Sequence, residues 1–158
     1  AKPAPKAEAP KPAPAAAPQA ETPAMPSAKR ISEESGVPLS SVAGTGKVYF
    51  DLMEEREKRG ENRIQILRLE QLYPFPENVL AQELNRFPKA EIVWCQEEPQ
   101  NQGAWSFVKP RIEDTVAKLG GKASPRYAGR PEYASTAAGL MKQHLAELAA
   151  FLNDALTL

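Results

Sequence analysis

Glu91-Ile-Val-Trp-Cys-Gln-Glu-Glu-Pro-Gln-Asn-Gln-Gly-Ala-Trp-Ser-Phe-Val108 is the stretch on which the fold turns. It opens with a short apolar run, Ile92 to Cys95, rich in β-branched and aromatic side chains, as a buried strand requires. It becomes polar from Gln96 to Gln102, and Pro99, which has no N–H for a sheet ladder, ends the strand. Gly103 lets the backbone turn. Beyond it Trp105, Val108, Ile112, Val116 and Leu119 recur every three or four residues, the spacing of one helix face. A strand feeding a polar loop and then an amphipathic helix is half of a parallel α/β unit.

The same alternation extends outward. Upstream, Tyr49, Leu52, Met53 and Arg56 share one side of a helix that Gly60 stops, with Glu54 and Lys58 one turn apart and able to pair. Arg63 to Leu69 is strand-like, and Tyr73-Pro74-Phe75-Pro76 is a rigid connection. Pro76 suits a first helical position, and Val79, Leu80, Leu84 and Phe87 supply a core stripe. Downstream of Gly120-Gly121, the segment Arg126 to Gly139 holds a short strand and a loop. A last helix from about Leu140 places Met141, Leu145, Leu148 and Leu152 on one face. Helices and strands in strict alternation predict an α/β fold of three layers, a partly parallel sheet with flanking helices.

The chain has 158 residues, with acidic and basic side chains balanced at 20 each. That balance gives no bulk field toward nucleic acid or an anionic membrane. Cys95 is the single cysteine, which excludes an intrachain disulfide and a cysteine-based zinc cluster and is compatible with a reducing compartment. No apolar run approaches the roughly 20 residues that span a bilayer, and no signal-peptide core is present at the start. With no initiating Met, the chain is expected to begin inside a longer protein or after processing.

Ala1 to Pro26 holds half of the 16 prolines, interleaved with Ala, Lys and Glu. Such a segment has almost nothing to bury and is expected to be a disordered, extended linker. Ser27 then suits a helix N-cap and Gly36 a left-handed C-cap, with a glycine-rich loop following to Lys47.

Trp94-Cys-Gln-Glu-Glu-Pro-Gln-Asn-Gln-Gly-Ala-Trp105 resembles the signature near the C-terminus of the thiamine-dependent 2-oxoglutarate dehydrogenase decarboxylase components. Glu70-Gln-Leu-Tyr-Pro-Phe-Pro76, Tyr127-Ala-Gly-Arg-Pro131 and the helix after Gly46-Lys47-Val48-Tyr49 are similar to the same family, in the same order. The resemblance runs from Gly46 to about Leu156 and implies a transketolase-type C-terminal domain. Pro26 to Lys47 is similar instead to the first half of the peripheral subunit-binding domain of the acyltransferase components of such complexes, and the Ala/Pro/Lys linker resembles theirs. These likenesses divide the chain into a 1–26 linker, a 27–47 partial subunit-binding segment and a 48–158 decarboxylase C-terminal domain, joined as in a chimera or an internal deletion. The family carries an apolar strand before Gly-Lys-Val-Tyr, where this chain has Ser40-Ser-Val-Ala-Gly-Thr45. The first strand is therefore expected to be missing, with the sheet uncovered there and residues up to about Thr45 mobile.

The resemblance implies a parent reaction: oxidative decarboxylation of 2-oxoglutarate with succinyl transfer to lipoamide in the citric acid cycle, using thiamine diphosphate and magnesium. It implies a bacterial cytoplasmic or mitochondrial matrix setting. Gly-Asp-Gly, the start of the thiamine-binding segment, does not occur in this sequence, so no cofactor, metal or catalytic residue is assigned and the fragment is expected to be inactive alone. Its expected role is structural, dimerising or regulatory; the rival reading is a tethered module that binds a nucleotide or a partner subunit. Glu97 and Glu98 sit at a strand end where α/β proteins place ligands, but adjacent carboxylates on extended backbone point apart. Arg130, between Gly129 and Pro131, can clamp a phosphate or carboxylate, or hold a structural salt bridge. By resemblance, Arg130, Arg126 and Lys122 are candidate contacts for acetyl-CoA as a regulator. His144 lies on the last helix, far in sequence from Cys95, and Cys95 inside an apolar strand reads as a core residue rather than half of a Cys–His dyad. Gln96, Glu97, Glu98, Asn101, Gln102 and Trp105, with Lys29 and Arg30 by resemblance, are the candidate partner contacts. The partner is a second copy of the chain or another subunit of the complex.

Overall fold

The computed structural model describes residues 40–158. In chain order it contains β1 (Ser40–Gly44), α1 (Lys47–Arg59), β2 (Ile64–Arg68), α2 (Glu77–Asn85), β3 (Glu91–Pro99), α3 (Trp105–Lys118), β4 (Arg126–Arg130) and α4 (Met141–Ala155). The strands form one sheet in the order β2-β1-β3-β4, and every pairing is parallel. The three-layer α/β reading holds, with the sheet wholly rather than partly parallel.

The expectation of a missing first strand is overturned. Ser40–Gly44 is the strand β1 and lies inside the sheet, paired with β2 from Ser40↔Ile64 to Gly44↔Arg68 and with β3 from Ser40↔Glu91 to Gly44↔Cys95. All five of its residues are buried. Ser-Ser-Val-Ala-Gly has weak strand propensity, but a strand with a partner on both edges gains two ladders, and that context outweighs its composition. The small side chains also fit the crowding. A Cβ at Gly44 would meet Cys95 O at 3.3 Å and Val48 Cγ1 at 3.5 Å. Ser40–Gly44 is thus part of the sheet, the expectation of mobility up to Thr45 fails there, and among the described residues the edge strands are β2 and β4. The expected linker and the expected helix carrying Lys29 and Arg30 lie outside the described residues.

Alternation along the strands sorts the core into two layers. Val42, Val93, Cys95 and Ala128 face α1 and α4, packing on Val48, Leu52, Phe151, Leu152 and Ala155. Ala43, Ile92 and Trp94 face α2 and α3, packing on Leu80, Leu84, Val108, Ile112 and Val116. Each large side chain so buried stabilises the fold by about 1.5–3 kcal/mol relative to exposure. Gly60 stops α1 in a left-handed conformation (φ 63°), its N–H donating to Glu57 O at 3.0 Å. Glu54 and Lys58 pair at 2.7 Å, as their spacing predicts. Val79, read as part of the α2 core stripe, is instead 53% exposed, and Met141 and Leu145 at the start of α4 are exposed too. The chain leaves β1 toward β2 on one side and β3 toward β4 on the other, so a topological switch point lies between the carboxyl ends of β1 and β3.

Candidate functional site

At that switch point β3 continues beyond the apolar run to Pro99. Its register against β4 passes from Cys95↔Ala128 to Pro99↔Arg130, so the intervening residues form a bulge. Gln96 turns inward at the bulge and is only 1% exposed. Its Oε1 accepts from Trp94 Nε1–H at 2.9 Å and from the Trp105 N–H at 3.0 Å. Its Nε2 donates to the carbonyls of Gln102 (2.8 Å), Glu98 (3.2 Å) and Pro99 (3.2 Å). One buried amide therefore ties the strand, the loop and the start of α3 together. Gly103 closes the turn with φ 65°, and a Cβ there would lie 2.9 Å from Gln96 Nε2.

β4 closes on the same hub. Tyr127 Oη lies 2.9 Å from both the Glu98 and the Arg130 carbonyl oxygens and donates between them. Burial pushes its phenol up to about 12. Its ring packs on Trp105 at 5.2 Å between centroids. Gly129 has no room for a side chain: a Cβ would collide with Tyr127 Oη and sit 2.7 Å from Gln96 O.

The loop also clasps the segment after β4. Asn101 Nδ2 donates to Tyr133 O and Asn101 Oδ1 accepts from the Tyr133 N–H, both at 3.1 Å. Gln102 Nε2 donates to the same carbonyl at 2.8 Å. Arg130, only 5% exposed, places Nε 2.6 Å from Glu147 Oε2 and donates from Nη1 to Thr136 O at 2.9 Å. The Nε–Glu147 contact is an attraction of charges rather than an aligned hydrogen bond.

These contacts revise the roles read from the sequence. Gln96 cannot face a partner, because its amide is buried and fully engaged inside the chain. Asn101, Gln102 and Trp105 are likewise used within the chain, although Asn101 stays exposed. Glu97 lies near His144, with Oε1 3.7 Å from Nδ1. Glu98 is exposed and contributes its carbonyl, so the two carboxylates do not form an acid–base pair. Arg130, Arg126 and Lys122 are not brought together. Arg126 and Arg130 stand at opposite ends of β4, ~13 Å apart along the strand at 3.3 Å per residue. Arg126 pairs with Glu91 and Asp154, each at 2.9 Å; Lys122 is exposed before the strand. The structural salt bridge is the arrangement Arg130 adopts. Cys95 is buried on the α1–α4 face, and burial raises its thiol to about 12, as expected of a core residue. Lys47, at the switch point, is raised above the usual lysine value chiefly by its hydrogen bond to Asp51 (2.5 Å). Among the described residues no three His, Cys, Asp or Glu side chains converge to hold a metal ion.

Tyr127, Gly129 and Glu147 are not among the candidates read from the residues alone. The first two lie in a quoted motif, Tyr127-Ala-Gly-Arg-Pro131, whose close packing only the fold reveals. Glu147 carried no signal at all.

Residues 26–156 match the family model described as 2-oxoglutarate dehydrogenase C-terminal. The 2-oxoglutarate dehydrogenase E1 component of Brucella abortus (strain S19) is 54% identical over 135 residues, covering 80% of this chain and 13% of that protein. The E1 component of Brucella anthropi is 61% identical over 113 residues, covering 71% of this chain and 11% of that protein. The chain thus spans about an eighth of the length of the curated relatives it matches.

Proposed function

This chain belongs to the 2-oxoglutarate dehydrogenase C-terminal family, and from that premise we propose that it serves as the C-terminal domain of an E1 component without turnover of its own. In this reading the parent reaction is thiamine-dependent decarboxylation of 2-oxoglutarate with succinyl transfer to lipoamide, in the citric acid cycle. The domain supplies scaffold, association with other copies or subunits of the complex, and regulation, in a bacterial cytoplasm or a mitochondrial matrix. The observation that carries it is the family match over residues 26–156, together with 54% identity over 135 residues to an E1 component. That breadth does not favour the rival reading of a tethered binding module.

Thiamine diphosphate and its magnesium do not fit the residues of this chain, which has no Gly-Asp-Gly start. The carboxyl ends of the strands are filled by the Gln96 hub and by paired charges instead. A regulatory acetyl-CoA or phosphate would meet Lys122 and Arg126 at one end of β4 and Arg130 at the other, as separate positions. The 1–26 linker, the 27–47 segment with its partner contacts Lys29 and Arg30, and the chimeric origin belong to this proposal as well. Isothermal titration of the 158-residue chain with thiamine diphosphate and magnesium tests it: no heat of binding is expected. Specific micromolar binding, or decarboxylation of 2-oxoglutarate by the isolated chain, would overturn it.

A further inference from the structure

α1 and α4 lie side by side on one face of the sheet and leave a groove of about 440 Å³ between them. Its floor is the α4 stripe Leu145, Leu148, Ala149 and Leu152, of which Leu145 is 55% exposed. Its α1 wall carries Asp51, Glu54 and Glu55 first and Lys58 and Arg59 after them, so the wall changes sign along its length. These charges pair with one another or with Lys47 one turn apart on the helix. Such surface pairs are worth little, which leaves the same groups available to a segment laid beside them. An apolar stripe left open under a charged rim is an interaction surface.

The path of the chain names the occupant. α1 runs back from the carboxyl end of β1, so the groove ends at Arg59, whose Nη1 donates to Asn153 Oδ1 at 3.2 Å across it. The chain enters β1 at this same end. The Ser40 N–H donates to Arg63 O at 3.2 Å, and Arg56 Nη1 donates to Ile64 O at 3.1 Å. Read backwards from β1, the sequence gives Leu39 and Val37, then Glu34 and Glu33, then Ile31, then Arg30 and Lys29. Glu34 to Ser40 reaches about 20 Å when extended, and Asp51 to Arg59 covers about 12 Å of helix, so the segment can turn the corner and run along the groove. Connectivity allows one direction only. It sets Glu33 and Glu34 beside Lys58 and Arg59, Ile31 over the leucine floor, and Lys29 and Arg30 beside Asp51, Glu54 and Glu55. Opposite charges meet at both ends. The short tether raises the effective concentration of the segment to the millimolar range, so a weak contact suffices. We propose that residues 29–37 dock in the α1–α4 groove of their own chain, a latch that withholds Lys29 and Arg30 from any partner subunit until it is displaced. The proposal does not depend on the E1 assignment, since it concerns the chain alone.

Amide exchange in the full 158-residue chain tests it, with circular dichroism to check the fold of each variant. Residues 29–37 should exchange about tenfold more slowly than the same sequence as a free peptide. Leu145→Asp, at an exposed position of the floor, should return them to the free-peptide rate at constant fold. Glu54→Lys with Glu55→Lys should do the same. Adding Lys29→Glu with Arg30→Glu to that pair should restore the protection, which a mere loss of folding would not. A wild type whose residues 29–37 exchange at the free-peptide rate overturns the proposal. So does protection that survives both Leu145→Asp and the reversal on α1, because the segment then sits elsewhere. Protection that grows with chain concentration overturns it too, since the occupant is then a second copy.

Discussion

Gln96→Leu should cost about 4 kcal/mol of folding stability. The leucine matches the amide in size but leaves Trp94 Nε1–H and the Trp105 N–H without their acceptor and the Gln102 carbonyl without its donor, while the Glu98 and Pro99 carbonyls keep only Tyr127 Oη and the Gln102 N–H. Each buried group left unpaired costs about 1–3 kcal/mol, and the low polarity around Gln96 raises the stakes for the whole network. Against a total of about 5–15 kcal/mol for a domain, that is a large share. Urea unfolding should show a lower midpoint at an unchanged slope. Gln96→Glu should be at least as harmful, because it sets an oxygen in place of Nε2 against three carbonyl oxygens. Substitution of an exposed partner contact stays within about 0.5 kcal/mol. A Gln96→Leu protein that unfolds with the wild type would return Gln96 to the surface role its sequence position suggested.

Gly129→Ala should cost about 3 kcal/mol, by overpacking rather than by backbone conformation. The added Cβ would collide with Tyr127 Oη and lie 2.6 Å from Tyr127 Cζ and 2.7 Å from Gln96 O. The tyrosine ring can shift only by giving up its bonds to the Glu98 and Arg130 carbonyls. Relief therefore breaks the closure of β4 on the hub. Gly139→Ala is the matched control, since nothing lies within 4 Å of its Cβ position. Thermal unfolding of the two variants should separate them clearly; equal midpoints would mean that β4 does not approach Gln96 as described.

Both effects centre on residues whose roles the sequence hid. Ile92 to Cys95 and the Trp105–Val116 repeat were legible as strand and helix because burial imposes periods of 2 and 3.6 on the residues themselves. The polar run after Cys95 was legible only as loop. Nothing in one residue's identity tells whether a glutamine points to solvent or to five partners brought together by a bulge. β1 was misread for the converse reason. Ser40-Ser-Val-Ala-Gly44 has little strand character of its own and owes its place to the neighbours on either side. Val79, Met141 and Leu145 keep helical spacing, yet they project past the sheet they were expected to cover. A stripe fixes the direction of a side chain but not the extent of the surface beneath it. Arg126 and Arg130 share a strand without sharing a site, since they stand at its two ends with three residues between them.

The placement of Ser40–Gly44 at the heart of the sheet is the claim on which the rest depends, and amide hydrogen exchange tests it most directly. With both of its edges laddered, β1 should exchange as slowly as Ile92–Cys95, its amides opening only with the whole domain. Exchange of Val42 and Ala43 at the rate of a free peptide, beside slow exchange in β3, would contradict it.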